Sequence, residues 1–237
     1  MSLIWAAEGA ILGLPAGTVL RGAVFRLSVP GNAPDQTACA ECGGPVPSWV
    51  LAVCARCGNT LGMPWLLESV TAAVLGLLFG RFGGQPDMLA FGFLGALGVA
   101  LAAIDISVQR LPDRLVLPAY PVLTALLTFA ALAGHDLAAL ARALLGGLVL
   151  GGLYLVLALL RPGGLGGGDV KLAGLAGLAL GWLGWPTLIL GGTLGFLLSA
   201  VVSLALIAAR RISLHSVMCF GPFLLSGVLL ALLASNR

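Results

Sequence analysis

Long apolar stretches separated by short polar or Pro/Gly-rich gaps set the pattern of this chain. Eight runs, near residues 3–25, 64–80, 88–106, 114–133, 137–160, 170–184, 186–209 and 216–235, approach the ~20 residues a helix needs to cross a bilayer. The sixth is short, and "GWLGWP" blurs its boundary with the seventh, where Pro186 is placed to open a new helix. Pro112, Pro162 and Pro222 fall near other run ends. No repeat of fixed period stands out. The many small residues let helices approach closely.

Composition turns this pattern into a class. Of 237 residues, 59% are hydrophobic and 9% charged, with mean hydropathy +1.09, whereas soluble domains carry about a quarter charged residues. The expectation is an all-α, polytopic membrane protein of about eight transmembrane helices, with lipid around it and no large soluble domain. A net charge of +3 gives no reason to expect a nucleic-acid partner. "MSLIWAAEGAILGLPAG" has no basic n-region, so no cleavable signal peptide is expected. Charge distribution sets topology. Arg26, Arg56, Arg110, Arg114, Arg161, Lys171, Arg210 and Arg211 fall in alternate loops, while Arg81 and Arg237 lie on the other side and Arg142 just inside a span. The first set is therefore expected in the cytoplasm, with both termini outside.

The first basic loop, residues 26–63, contains "CAECGGPVPSWVLAVCARCG". Cys39 and Cys42, then Cys54 and Cys57, form two CxxC knuckles whose four thiolates suit a tetrahedral metal, with Gly43 and Gly58 permitting the tight turns. Four free structural thiols are the alternative. A reducing cytoplasm disfavours disulfides, so zinc is expected, structural because four protein ligands leave no open position. Cys219 stands alone and reads as packing.

Nine acids remain to be placed. Asp35, Glu41, Asp87 and Asp136 read as solvated loop charges. Glu8 and Glu68 lie within spans, where an ionisable group is either functional or faces a polar bundle interior. Asp113, after Pro112, suits a helix N-terminus as a cap. Asp105 is harder to dismiss, because it ends a helix whose dipole disfavours negative charge. Asp169 follows three glycines at the front of the sixth run and is expected on the same side as Asp105. If two such carboxylates meet, one retains a proton near neutrality. One then takes a proton from water while the other donates to a peptide carbonyl. The bare backbone before Asp169 would admit a peptide. Lys171 reads as electrostatic support or a lipid contact. His135 and His215 lie in loops and read as non-ligands, and Arg110 and Arg114 as topology determinants.

Gly166-x-Gly168-Asp169-x-Lys171, with Asp105, Pro112-Asp113, the cysteine insert and "FGPFLLSG" at 220–227, resembles the prepilin peptidases, or type IV leader peptidases. These are GxGD-type aspartic proteases of bacterial membranes. The resemblance covers nearly the whole chain, read as a single membrane peptidase domain (1–237) with the insert at 26–63 and the peptidase core at 88–237. It implies Asp105 and Asp169 as the catalytic pair, supported by Asp113, Gly166, Gly168 and Lys171, with Cys39, Cys42, Cys54 and Cys57 as the family's cysteine tetrad. It implies cleavage of the basic leader of type IV prepilins or pseudopilins at the cytoplasmic face of the inner membrane. Many bacterial members also methylate the new N-terminus with S-adenosylmethionine. Two departures fall in the region tied to methylation. The stretch between CxxC pairs is short, and "GTVLRGAVFRLSVP" has Arg21-Gly22 where Leu-Asn is expected. The resemblance thus carries proteolysis further than methyl transfer. The competing readings are an ion or metal transporter using Asp105, Asp113 and Asp169, and a non-catalytic scaffold around the cysteines.

Overall fold

The computed structural model describes residues 2–30, 34–46, 53–62, 64–160, 165–211 and 219–235. Arg161, Pro162, His215 and Arg237, named above, lie outside the described residues. Among those residues there are eight helices and no strands beyond isolated bridges. They are α1 (Leu3–Leu27), α2 (Leu66–Phe82), α3 (Met88–Val108), α4 (Asp113–Gly134), α5 (Leu137–Leu160), α6 (Gly167–Leu183), α7 (Trp185–Ala208) and α8 (Gly221–Ala234). The all-helical expectation holds, one helix per apolar run. Five of them, α1, α3, α4, α5 and α7, are long and apolar enough to cross a membrane. At 1.5 Å per residue, the 17-residue α2 and α6 reach only ~26 Å and the 14-residue α8 ~21 Å.

The chain divides into two compact units, residues 1–108 and 109–237. In the first, α1 and α2 pack backbone against backbone. A Cβ on Gly9 would stand 2.5 Å from the Leu75 carbonyl oxygen, and one on Gly17 2.5 Å from Glu68 Cα. Glycine every fourth residue (Gly9, Gly13, Gly17) clears one face of α1 for this approach.

In the second unit, α5 and α6 form an antiparallel pair built the same way. A Cβ on Gly146 would lie 2.6 Å from the Gly177 carbonyl oxygen, and one on Gly181 2.7 Å from that of Arg142. Every residue of α6 from Leu172 to Trp182 is buried. A helix apolar all round belongs inside a bundle, and α4, α5, α7 and α8 all pack on this one. Gly184, at φ 133°, breaks the chain between α6 and α7, and Pro186 sits in the first turn of α7 as expected. Asp136 caps α5 by accepting from the Ala139 N–H at 2.8 Å.

Candidate active site

The first turn of α6 carries Asp169. Its helix begins at Gly167, three residues earlier than the apolar run suggests. The cause is local: Asp169 Oδ2 accepts the Gly166 N–H at 3.2 Å, and the Gly166 carbonyl accepts the Asp169 N–H at 3.0 Å. This is the return half of a capping box, which glycine can join because only its backbone takes part. Gly166 and Gly167 are exposed while Asp169 is half-buried, so the carboxylate sits below an uncovered stretch of main chain.

The neighbouring elements hold that turn in place. A Cβ on Gly168 would lie 2.8 Å from Leu111 Cβ, whereas one on Gly167 would meet nothing within 4 Å. Lys171 Nζ donates to Asp113 Oδ1 at 2.7 Å, and Tyr120 Oη donates to the Lys171 carbonyl at 2.6 Å. Asp113 is thus the first residue of α4 and makes no side-chain cap; it answers Lys171 instead. Gly166, Gly168, Asp169, Lys171 and Asp113 therefore come together in the second unit.

Asp105 belongs to the first unit, three residues before the end of α3, and is buried at 4% exposure. Ser107, just beyond it, lies 3.0 Å from the Ser28 hydroxyl, so the end of α3 and the end of α1 share one side of that unit. The cysteine insert leaves from there. Arg26 Nη2 donates to the Val46 carbonyl, and the Gln36 N–H donates to the Arg26 carbonyl at 3.0 Å.

Each knuckle is the same small arch. Antiparallel bridges join Ala38 to Pro45 and Val53 to Thr60. Gly43 (φ 66°) and Gly58 (φ 69°) make the left-handed turns the sequence anticipated. The four sulfurs lie within 4.8 Å of one another, with Cys39–Cys57 at 3.9 Å and Cys42–Cys54 at 3.4 Å. A tetrahedral ion with metal–sulfur bonds of about 2.3 Å needs sulfurs roughly 3.8 Å apart, so the tetrad fits a metal ion. The N–H groups of Gly44 and Arg56 point to Cys42 and Cys54 at 3.4 Å each. Main-chain N–H groups of Cys57 and Arg56 hold the Cys54 thiol down to about 6. The Gly44 N–H pulls Cys42 the same way but loses to its thiol neighbours, chiefly Cys54 and Cys57, which with burial push it up to about 12. Crowded thiolates repel, and a cation at their centre removes that conflict.

The sequence profile of the Type IV leader peptidase family matches residues 91–235. The chain belongs to this family. A prepilin leader peptidase/N-methyltransferase of Burkholderia pseudomallei (strain 1026b) is 32% identical, the match covering 96% of this chain and 75% of that protein. Namesakes from Pseudomonas putida (90% of this chain, 74% of the relative) and Pseudomonas aeruginosa (91% and 75%) are each 30% identical. No solved structure matches.

Several side chains differ from the sequence reading. Glu68 is not an isolated charge in a span: its Oε1 pairs with Arg21 Nη1 at 3.1 Å, both side chains under 10% exposed. In the sequence Arg21 stands out only as a departure from a motif. A lone cation and a lone anion in successive apolar helices were the available signal. Asp87 is buried rather than solvated. Glu8 is exposed on α1. Tyr120 and Tyr154 carry no distinguishing signal in the sequence, because aromatic residues in apolar runs look like packing.

Proposed function

We propose that the chain is a membrane aspartic endopeptidase cutting the leader from type IV prepilin-like precursors, with Asp105 and Asp169 as its two carboxylates. The observation that carries this is the Asp169 turn: a carboxylate on a glycine-cleared, braced helix start in a chain of the leader peptidase family. One carboxylate takes a proton from water as the oxygen attacks the scissile carbonyl. The other gives its proton to the carbonyl oxygen, and the tetrahedral intermediate collapses with release of the amine. Exposed backbone at Gly166 and Gly167 offers main-chain hydrogen bonds to an extended substrate. Asp113 and Lys171 brace the turn rather than touch substrate. The loops next to these residues are the basic ones, which supports a cytoplasmic active site in a bacterial inner membrane.

The test is cleavage of a prepilin-like substrate by purified protein in liposomes, read by mass spectrometry. Asp105→Asn and Asp169→Asn each abolish cleavage while still inserting. Normal cleavage by either variant overturns the assignment.

Zinc suits the tetrad by donor set and spacing, and we assign it a structural role. The relatives' names include N-methyltransferase, so the same spectra, taken with S-adenosylmethionine present, report methylation of the new terminus. Ion flux without proteolysis would support the transporter reading instead, but transporter sites form at broken helices near mid-bilayer, whereas Asp169 sits at a helix start.

A further inference from the structure

Tyr154 is a buried polar group that neither the fold nor the reaction above uses. It lies on α5 with 0% exposure, and its hydroxyl has no hydrogen-bond partner among the described residues. Its ring is locked by two others: Phe196 at 5.1 Å and Phe220 at 5.8 Å between centroids, themselves 5.1 Å apart. A hydroxyl buried for packing alone would be a poor choice, because phenylalanine fills the same volume without a polar atom to satisfy.

Its position along the helix pair is informative. Gly151 packs on Gly174 and faces the Val170 carbonyl. Because α5 and α6 run antiparallel, three further residues carry Tyr154 roughly 4.5 Å toward the start of α6. That places it level with the Gly166–Asp169 turn.

We propose that Tyr154 is a substrate-contacting residue whose hydroxyl donates a hydrogen bond to the peptide bound over Asp169, at the scissile carbonyl oxygen. The proposal rests on the endopeptidase reading above. The phenol keeps its proton and forms no covalent bond; it stabilises the partial negative charge on that oxygen in the transition state, alongside the carboxylic acid that protonates it. The hydroxyl is fully buried in the resting protein, so the peptide reaches it only by displacing the side chains that cover it; held between two rings and out of water, it is then the kind of donor that contributes most. A polar group left unsatisfied until substrate arrives lowers the stability of the resting protein, a known signature of functional residues.

The experiment compares the full chain in liposomes with Tyr154→Phe and Tyr154→Leu, using a prepilin-like peptide and Asp105→Asn and Asp169→Asn as controls. Both kinetics and thermal unfolding are read. Tyr154→Phe lowers kcat about 100-fold with KM little changed, the size of effect seen on removing one oxyanion donor. Its Tm stays level or rises, because only an unsatisfied hydroxyl is lost, while Tyr154→Leu lowers Tm by opening a cavity between the rings. Wild-type kcat in Tyr154→Phe overturns the proposal, as does a Tm loss matching that of Tyr154→Leu, which makes the hydroxyl structural. Cleavage that survives in the aspartate controls, or no cleavage by wild type, overturns the underlying reading and this proposal with it.

Discussion

The Arg21–Glu68 pair offers a test of what holds α1 against α2. At 3.1 Å, with side chains 8% and 9% exposed, it is no surface ion pair. Exposed pairs contribute about 0.2–1 kcal/mol. Removing one partner of a buried pair leaves the other charge stranded, at a cost of about 3–5 kcal/mol. Arg21→Met and Glu68→Leu should each lose that much, roughly two to three and a half decades in the folded-to-unfolded ratio. The double variant behaves differently. Arg21 Nε and Glu68 Oε2 lack partners among the described residues, so the native pair is only partly compensated. Two apolar side chains of similar volume should then be neutral or stabilising relative to wild type. Unfolding of the four proteins in mixed micelles with increasing denaturing detergent gives the double-mutant cycle. Single variants that lose under about 1 kcal/mol, or a double variant as unstable as the two singles combined, would refute the reasoning. A stable double variant that no longer processes substrate would give the pair a chemical role beyond packing.

Gly168→Ala should fold yet cut at least about 100-fold more slowly, because its Cβ meets Leu111 Cβ at 2.8 Å and must shift the Asp169 turn. Gly167→Ala, whose Cβ meets nothing within 4 Å of the protein, should leave the Asp169 turn in place and keep kcat, any loss appearing in KM where the methyl crowds bound peptide; equal kcat losses at both positions would sink the argument. Asp113→Asn and Lys171→Met break an exposed pair, so denaturation should show a loss below about 1 kcal/mol and cleavage within about tenfold of wild type. The Cys54 thiol, held down to about 6 from an ordinary 9.0, contributes stability that is present above 9.0 and lost as pH falls through about 6. The insert's thiolate ultraviolet absorbance in metal-free protein should therefore persist well below the ordinary thiol range.

The helices were legible because bilayer-length apolar runs leave the backbone little else to form, and Pro186 and Gly184 mark their break chemically. The cysteine arches were legible for a similar reason: two residues between thiols and a glycine after them nearly dictate the turn. Partnership was not legible. Asp113 after Pro112 has the right place for a cap, and nothing local says that Lys171, 58 residues on, will take its carboxylate. The same holds for Arg21 and Glu68, which meet only because Gly17 lets the two backbones approach. The start of α6 is hidden in the sequence because glycines argue against helix by propensity, while the Asp169 carboxylate accepts the hydrogen bond that starts one. Asp87 shows the converse error, a loop position that turns out buried.

The family profile begins at Phe91, inside α3, and ends at Ser235, one residue past α8. It therefore includes Asp105 and Asp169 and none of the four clustered cysteines. The two carboxylates proposed for catalysis and the thiol site belong to separable parts of the sequence, although the relatives align across both. The tetrad's attachments are to α1: Arg26 reaches Val46, and Phe25 packs on the cluster of Cys39, Val46, Cys54 and Leu61. Removing a metal held by the tetrad should then loosen the α1 end of the first unit before it touches the Asp169 turn. Cys54→Ser, or a strong chelator, should lower the first unfolding transition and release about one metal ion per chain, measured by elemental analysis. Cleavage at a temperature below that transition should fall by less than about tenfold, far short of the loss in Asp169→Asn. A metal-depleted protein that is fully folded yet as inactive as Asp169→Asn would show instead that the thiol site acts directly in peptide cleavage and is more than a stabilising insert.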